Sequence, residues 1–494
     1  MIGRGYLTTI ALVLLLLIDF AFRIVAIIVV PRNRRPSSAT AWLLAINIIP
    51  YLGLLVFLLI GSYKLPRGRR RKQQQINQFI LESTEGSAQV SRAEHWPSWL
   101  KSVVLLNRNL GAMPLVGGNT ADLLTDYQRS LDAMVEAVDR AERTVHAEFY
   151  IMALDATTEP FFKALENAVR RGVTVRVLLD HLASLRAKGH FRTIRRLNAL
   201  AKLGLVWHYM LPIQPWRGKY QRFDLRNHRK LLVVDGIVGF LGSQNIIDAS
   251  YNKRGNLRRG LQWKELVARL EGPIVAGLNA IFITDWYAET DELLRREVRP
   301  ADARPVADPA DEIDCQLVPS GPGFRGENNL RLFLSLLYYA RERIVITSPY
   351  FVPDESMLTA ITTARERGVA IDLFVSEISD QVLVYHAQRS YYEQLLRAGV
   401  RIWMYRAPTI LHAKHFTIDD EVAVIGSSNM DIRSFQLNAE ISLMVRSRRF
   451  VAELRAIEES YRASSRELTL DEWLRQPLRA AIVDNLARLT SALQ

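Results

Sequence analysis

Two stretches of the chain carry histidine, lysine and aspartate in the same order and at the same spacing. The first, NHRKLLVVDGIVGFLGSQN, holds His228, Lys230 and Asp235, then Gly242, Ser243 and Asn245. The second, LHAKHFTIDDEVAVIGSSN, holds His412, Lys414 and Asp419, then Gly426, Ser427 and Asn429. A single H-x-K-x-x-x-x-D reads as a solvated strand edge. Two copies, each followed by G-S-x-N, point to one site built from two half-sites.

The residue types suit phosphoryl transfer. In an extended strand residues two apart face the same way, so His228 projects with Lys230 and His412 with Lys414. A neutral imidazole can attack phosphorus and form a covalent phosphohistidine. A second, protonated imidazole can supply the leaving alcohol with its proton and then activate the acceptor hydroxyl. Such acid–base help amounts to ~10²–10⁴ in rate, or ~3–5 kcal/mol of barrier. The lysines neutralise phosphate oxygens, and the Ser and Asn side chains can bond a phosphate or hold the lysines. Asp235 and Asp419 belong to the signature, with a structural role as open to them as proton transfer. No metal or other cofactor is expected. His412 and His415 would point to opposite faces of a strand, and Cys315 is the single cysteine.

These half-sites need two matching scaffolds, and the chain has a repeat to supply them. AVDRAERTVHAEFYIM followed by FFKALENAVRRGVTVRVLLD is echoed by LLYYARERIVITSPYFV followed by MLTAITTARERGVAIDLFVS. Each reads helix, strand, helix, then a buried parallel strand, with Gly172 or Gly368 ending the second helix. The fold class is therefore α/β, with two tandem domains of one fold. The expected organisation is a hairpin and basic flank at 1–72, a connector at 73–110, a first domain at 111–296, and a Pro- and Ala-rich linker at 297–311. A second domain at 312–465 and a helical segment at 466–494 follow. In that last segment Leu478, Ile482, Leu486, Leu489 and Leu493 form one helix stripe, expected to pack inward, with an interfacial helix as the alternative. Cys315 is expected as a small apolar residue in a strand.

The first 72 residues argue for a membrane. Residues 6–30 and 41–60 are apolar runs, each near the ~20 residues needed to cross a bilayer. Asp19 and Arg23, four apart, can pair on one helix face. A retained two-helix transmembrane hairpin fits better than a cleaved signal peptide, because the second run follows soon after and no small-x-small cleavage site intervenes. Arg4, Lys64, Arg67, Arg69, Arg70, Arg71 and Lys72 flank the pair, against Arg32, Arg34 and Arg35 in its loop. Seven against three predicts both ends in the cytoplasm. The net charge of +13 favours anionic partners, either nucleic acid or the anionic face of a bilayer.

The chain resembles the phospholipase D superfamily and, within it, the bacterial cardiolipin synthases. The resemblance covers nearly the whole chain. It is carried by AWLLAINIIPYLGLL, DLRNHRKLLVVD, ARLEGPIVAGLNAIFITDW, SPYFVPDESML, YYEQLLRAGVRIW and LHAKHFTIDDEVAVIGSSNMDIRSFQLNAE. It implies two phospholipase D-like domains as a pseudo-twofold pair, with His228 and His412 in one site. It further implies a phosphatidyl-histidine intermediate and transfer between two phosphatidylglycerol molecules, giving cardiolipin and glycerol. An acidic residue downstream of each motif then orients its histidine: Glu440 for His412, and Glu265 for His228 where relatives often carry Asp. DHLASL at 180–185 departs from the Gly-Ser common in relatives, with Ala183 at the glycine position. The expected partners are phosphatidylglycerol and an anionic bilayer, with no nucleic acid, and the expected place is the inner membrane, multi-pass. The competing readings are a membrane phospholipase D that hands the intermediate to water, a superfamily nuclease, and a non-catalytic lipid-binding scaffold.

Overall fold

The computed structural model describes residues 2–32, 34, 36–61, 72, 75, 76, 78, 80, 96–214, 222–294, 312–324 and 326–489. The expected linker 297–311 and most of the basic flank after residue 61 lie outside them. The chain forms two compact units, Met1–Leu65 with Arg222–Asp224, and the remainder.

In the first unit, the helix Ile2–Val29 contains an 18-residue window, Leu12–Val29, apolar and long enough to cross a membrane. Arg23 pairs with Asp19 at 2.7 Å, as their spacing predicts. The second apolar run departs from expectation, for it is not one spanning helix. Pro50 cannot donate the amide hydrogen that a continuous helix needs there. The run splits into Pro36–Ile48, of 13 residues, and Pro50–Ile60, of 11. At 1.5 Å per residue these reach ~20 and ~17 Å, against a hydrocarbon core of ~30 Å. They fold back on each other, with the Trp42 and Phe57 rings edge to face at 5.4 Å. Gly53 permits the close approach of the two helices, since a Cβ there would lie 2.5 Å from the Ala45 carbonyl oxygen. Arg34, before the first short helix, donates to the Gly61 carbonyl after the second, so the run begins and ends together.

The second unit is built on one continuous mixed sheet. In its first half the strands pair in the order Leu115–Leu124, Val267–Glu271, Val238–Gly242, Lys230–Val234, Thr144–Phe149, Thr174–Asp180, Val206–Met210. The second half repeats that order with Ile313–Ser320, Asn438–Arg446, Val422–Gly426, His415–Ile418, Arg343–Thr347, Ala370–Ser376 and Arg401–Tyr405, then adds Ser465–Leu468. The last three strands of each repeated order are parallel, the rest antiparallel. The halves join through antiparallel pairing of Leu115–Leu124 with Ile313–Ser320. Gly172 and Gly368 end their helices at φ +88° and +90°.

The repeats share a core rather than standing apart. Leu231, Leu241 and Leu278 of the first half cluster with Leu317, Ile425 and Leu443 of the second. The helix Ile274–Thr290 is buried along most of its length, in keeping with its all-round apolar sequence. Cys315 is buried in its strand. The helix Ser98–Gly111, in the expected connector, packs Leu100 and Val103 against Leu330 and Leu337 of the second half.

The C-terminal stripe overturns its expectation. The helix Leu478–Arg488 faces inward with Asp484 and Ala487, while Leu478, Ile482, Leu486 and Leu489 are exposed. A buried ionic contact decides this. Asp484 accepts from His386 at 2.7 Å and from Arg389 at 3.1 Å, both on the helix Val382–Arg389. Those bonds hold the polar face in.

Candidate active site

Each histidine lies just before its strand, not within it. Arg226–Asn227 pairs in parallel with the start of Asn438–Arg446, in the other half. Thr409–Leu411 pairs likewise with Gln262–Lys264. The chain then leaves that partner and enters its own sheet at Lys230 or His415. His228 and His412 sit at these crossings. The His228 amide donates to the Ala439 carbonyl at 2.8 Å, and the His412 amide to the Lys264 carbonyl at 2.7 Å. Ala439 precedes Glu440, and Lys264 precedes Glu265.

The local pairing therefore gives each histidine the glutamate of the opposite half. His228 Nδ1 lies 3.0 Å from both carboxylate oxygens of Glu440. His412 Nδ1 lies 2.8 and 2.9 Å from those of Glu265. This reverses the expected assignment of Glu440 to His412 and Glu265 to His228. The same-half reading followed order along the chain, whereas the crossed β-pairs decide which side chains meet.

Glycine and serine of each G-S-x-N support that half's glutamate. A Cβ on Gly242 would lie 2.3 Å from the Leu266 carbonyl oxygen, and one on Gly426 would lie 2.2 Å from that of Ile441. The Ser243 and Ser427 amides donate to those same carbonyls at 3.0 Å. The Ser427 hydroxyl donates to Glu440 at 2.5 Å, and the Ser243 hydroxyl accepts from the Leu266 amide at 3.0 Å. The Asn245 amide oxygen accepts from the Ile151 amide at 3.0 Å, and its nitrogen donates to the Tyr251 hydroxyl at 2.8 Å. Ser243, Asn245 and Ser427 are thus engaged by the scaffold. Asn429 differs, with a buried amide oxygen that has no hydrogen-bond partner.

Lys230 and Lys414 turn back onto their own histidines. Their ammonium groups donate to the carbonyls of His228 at 2.6 Å and His412 at 2.8 Å. Lys414 Nζ also lies 3.2 Å from His412 Nε2. Asp235 and Asp419 stand at the other ends of the strands, and a catalytic role for them does not survive. Asp235 accepts from the amides of Glu142, Arg143 and Thr144 at 2.7–2.9 Å. Asp419 accepts from those of Arg341, Glu342 and Arg343 at 2.8–3.1 Å. Both adopt positive φ and tie the turn after their strand to the start of a neighbouring one.

The electrostatics favour neutral imidazoles beside ionised carboxylates. Burial pushes His228 down to about 4, against the upward pull of Glu440. Burial also lowers His412, with Glu265 opposing it. Burial alone would raise Glu440 and Glu265, but the adjacent histidines and the lysines outweigh it and hold both below the usual carboxylate range. An ionised carboxylate only accepts, so each Nδ1 carries the hydrogen and each Nε2 has the lone pair. Burial pushes Lys230 down to about 7 and Lys414 to about 8. These groups can bind an anion that brings back the charge stabilisation water would have given.

Sequence reasoning passed over two sets of residues. Tyr150 and Tyr350 flank the histidines, with ring centroids 4.7 Å from His228 and 6.2 Å from His412. Their matched places in the repeat, EFYIM and SPYFV, were the available signal. Arg229, between His228 and Lys230, is buried and donates to the Glu440 carbonyl at 3.1 Å and to the Asp285 carboxylate. Nothing in the spacing marks an arginine as turned inward. Among the described residues no cluster of His, Cys, Asp and Glu is arranged to hold a metal ion.

Comparison with known proteins bears on this geometry. The family model "Cardiolipin synthase, PLD-like domain" matches residues 134–286 and 333–461, one match in each half. The cardiolipin synthase A of Proteus mirabilis (strain HI4320) is 31% identical over 469 residues, which is 93% of this chain and 94% of that protein. The chain belongs to the phospholipase D-like cardiolipin synthase family. His228, Lys230 and Glu265 fall in the first matched range, and His412, Lys414 and Glu440 in the second. A further model, "Phospholipase_D-nuclease N-terminal", matches residues 21–62. The cardiolipin synthase A of Wigglesworthia glossinidia brevipalpis is 29% identical over 94% of this chain and 92% of its own length. The crystal structure of phosphatidylserine synthase from Haemophilus influenzae Rd KW20 shares the fold, with a TM-score of 0.60 and 13% identity over 80% of this chain and 100% of that one.

Proposed function

We propose that the protein is a cardiolipin synthase that moves a phosphatidyl group between two phosphatidylglycerol molecules. The observation that carries the reading is the crossed His–Glu pairing, which supports one two-histidine site built from two half-sites. One imidazole attacks phosphorus through Nε2, and the P–O bond to the departing glycerol breaks. The other imidazole, protonated once the anionic substrate is bound, gives its proton to that glycerol oxygen. The same ring, now a base, takes the proton of the second phosphatidylglycerol's hydroxyl. That oxygen attacks phosphorus, the P–N bond breaks, and cardiolipin leaves with the first histidine restored. Glu440 and Glu265 fix the tautomers and stabilise the imidazolium forms. Lys230 and Lys414 meet the phosphate oxygens.

The split second run supports a single-crossing membrane arrangement. With Ile2–Val29 as the crossing and the 36–60 run entering and leaving on one side, Arg32, Arg34 and Arg35 share the side of the chain that follows residue 61. They join Lys64, Arg67, Arg69, Arg70, Arg71 and Lys72 there, nine against Arg4 alone. That asymmetry supports a cytoplasmic catalytic unit with a single crossing before it. The phosphatidyl donor and acceptor are then drawn from the adjacent leaflet.

The test is product analysis on phosphatidylglycerol vesicles. Cardiolipin with an equal amount of glycerol is expected. Phosphatidic acid as the main product would make the protein a hydrolase instead.

A further inference from the structure

The outward face of the C-terminal helix is out of place on a water-facing surface. Leu478 and Leu489 are 84% and 80% exposed, and Ile482 and Leu486 lie between them on the same stripe. The reversal is built in, because Asp484 is pinned inward by His386 and Arg389 and cannot turn out without breaking both contacts. Arg488 is held too, with its guanidinium 4.5 Å from the Tyr391 ring centroid. The helix is thus fixed in rotation with its leucines outward.

Charge says what covers that face. Asp484, the acidic residue of the segment 474–489, is buried, while Arg475 and Arg479 beside the stripe are exposed. The outward side is apolar and cationic with no exposed carboxylate of its own. That is the composition of a helix lying in the headgroup region of an anionic bilayer. A second copy of this chain would bring the same positive charge to the contact.

The position relative to the chemistry gives this surface a use. The helix Val382–Arg389, which holds Asp484, begins two residues after Asp380. Asp380 accepts from the Tyr350 hydroxyl at 2.7 Å, and the Tyr350 ring stands edge-on to His412. Val382 and Leu383, at the start of that helix, are themselves exposed. We infer that Leu478–Arg488 is a second membrane contact, which seats the catalytic unit on the anionic leaflet on the side of Asp380 and Tyr350. The inference draws its purpose from the lipid-substrate reading but does not need turnover to be tested.

The experiment uses the full chain in vesicles, with Ile482→Cys carrying a fluorophore; Cys315 is buried and out of reach of the label. Quenching by nitroxide carried on lipid acyl chains is compared with quenching by aqueous iodide. In phosphatidylglycerol vesicles the lipid-borne quencher is expected to be several-fold the more effective. That advantage should shrink in phosphatidylcholine vesicles and in the Arg475→Glu, Arg479→Glu background. Quenching by iodide alone would overturn the inference, and so would protection from both quenchers, the sign of a protein partner. In parallel, Ile482→Glu with Leu486→Glu should raise the apparent KM on vesicles several-fold and leave kcat on detergent-dispersed phosphatidylglycerol unchanged. An unchanged KM on vesicles would also count against it. Absence of cardiolipin in the wild type would instead overturn the functional reading and leave the quenching result standing.

Discussion

The two half-sites are alike where histidine, glutamate and lysine meet and unlike one residue away. Both have a histidine bonded to the opposite glutamate and a lysine folded onto its own histidine's carbonyl. Between histidine and lysine, however, the first half has Arg229 and the second has Ala413, and both are buried. Arg229 reaches Glu440 and Asp285, close to Glu148, which burial and Asp285 raise well above the usual carboxylate range. Ala413 simply fills space in the shared apolar core. Repeating a fold thus repeated the chemistry, while the support beneath it diverged into an ionic network on one side and packing on the other.

Changes to the shared groups should have the largest effects and be symmetric. His228→Ala and His412→Ala should each lower turnover ~10⁴-fold or more, measured as cardiolipin formed per enzyme in vesicles. Normal activity in either variant would remove that ring from the mechanism. Glu440→Gln and Glu265→Gln should each cost ~10²–10⁴ in kcat. An effect in only one would mean that one histidine works without its carboxylate.

The asymmetric residues should then separate the halves by stability. Arg229→Met leaves the half-buried Asp285 carboxylate without its cation, beside the buried Glu148, at a cost of ~3 kcal/mol. Ala413→Ser should cost about 1–2 kcal/mol, from burying a hydroxyl with no ready partner. Denaturant melts of the solubilised chain measure both, and equal costs would contradict the contrast. Asp235→Ala and Asp419→Ala should each lose ~1–3 kcal/mol from orphaned turn amides, while the folded fraction keeps its kcat.

The smallest effect is a proton count. Burial holds Lys230 at about 7 and Lys414 at about 8, and a bound anion raises both. Binding of inorganic phosphate at pH ~8 should therefore take up protons, and at pH ~6, where both are already charged, the lysines should add none. Calorimetry in buffers of different ionisation enthalpy reads this directly, and no uptake at the higher pH would mean the lysines are already charged in the free site. His228 runs the opposite way on folding. Its pKa falls from 6.5 to about 4 on folding, so its contribution is full above ~6.5 and lost as pH falls through ~4.

The half-sites were legible because their residues are close along the chain. His228, Lys230, His412 and Lys414 could be found from spacing, and the α/β repeat from the order of its elements. The pairing across halves was not legible. It depends on Arg226–Asn227 and Thr409–Leu411 leaving their own half to bond the other, and no local pattern records a non-local β-pair. Asp235 and Asp419 misled for a related reason. They recur in the motif as faithfully as the histidines, because a strand end needs its turn held as much as a site needs its base. At Leu478–Arg488 the periodicity located the helix, but the rotation was set by Asp484 meeting His386 and Arg389 from nearly a hundred residues away.

The central claim is that each histidine is governed by the glutamate of the other half. Histidine C2-hydrogen exchange, followed peptide by peptide by mass spectrometry across pH, tests it residue by residue. A carboxylate raises its partner imidazole, so Glu440→Gln should lower the exchange midpoint of His228 and leave His412 in place. Glu265→Gln should do the reverse. If Glu440→Gln moved His412 and spared His228, the site would be two separate half-sites, and the crossed account would be wrong.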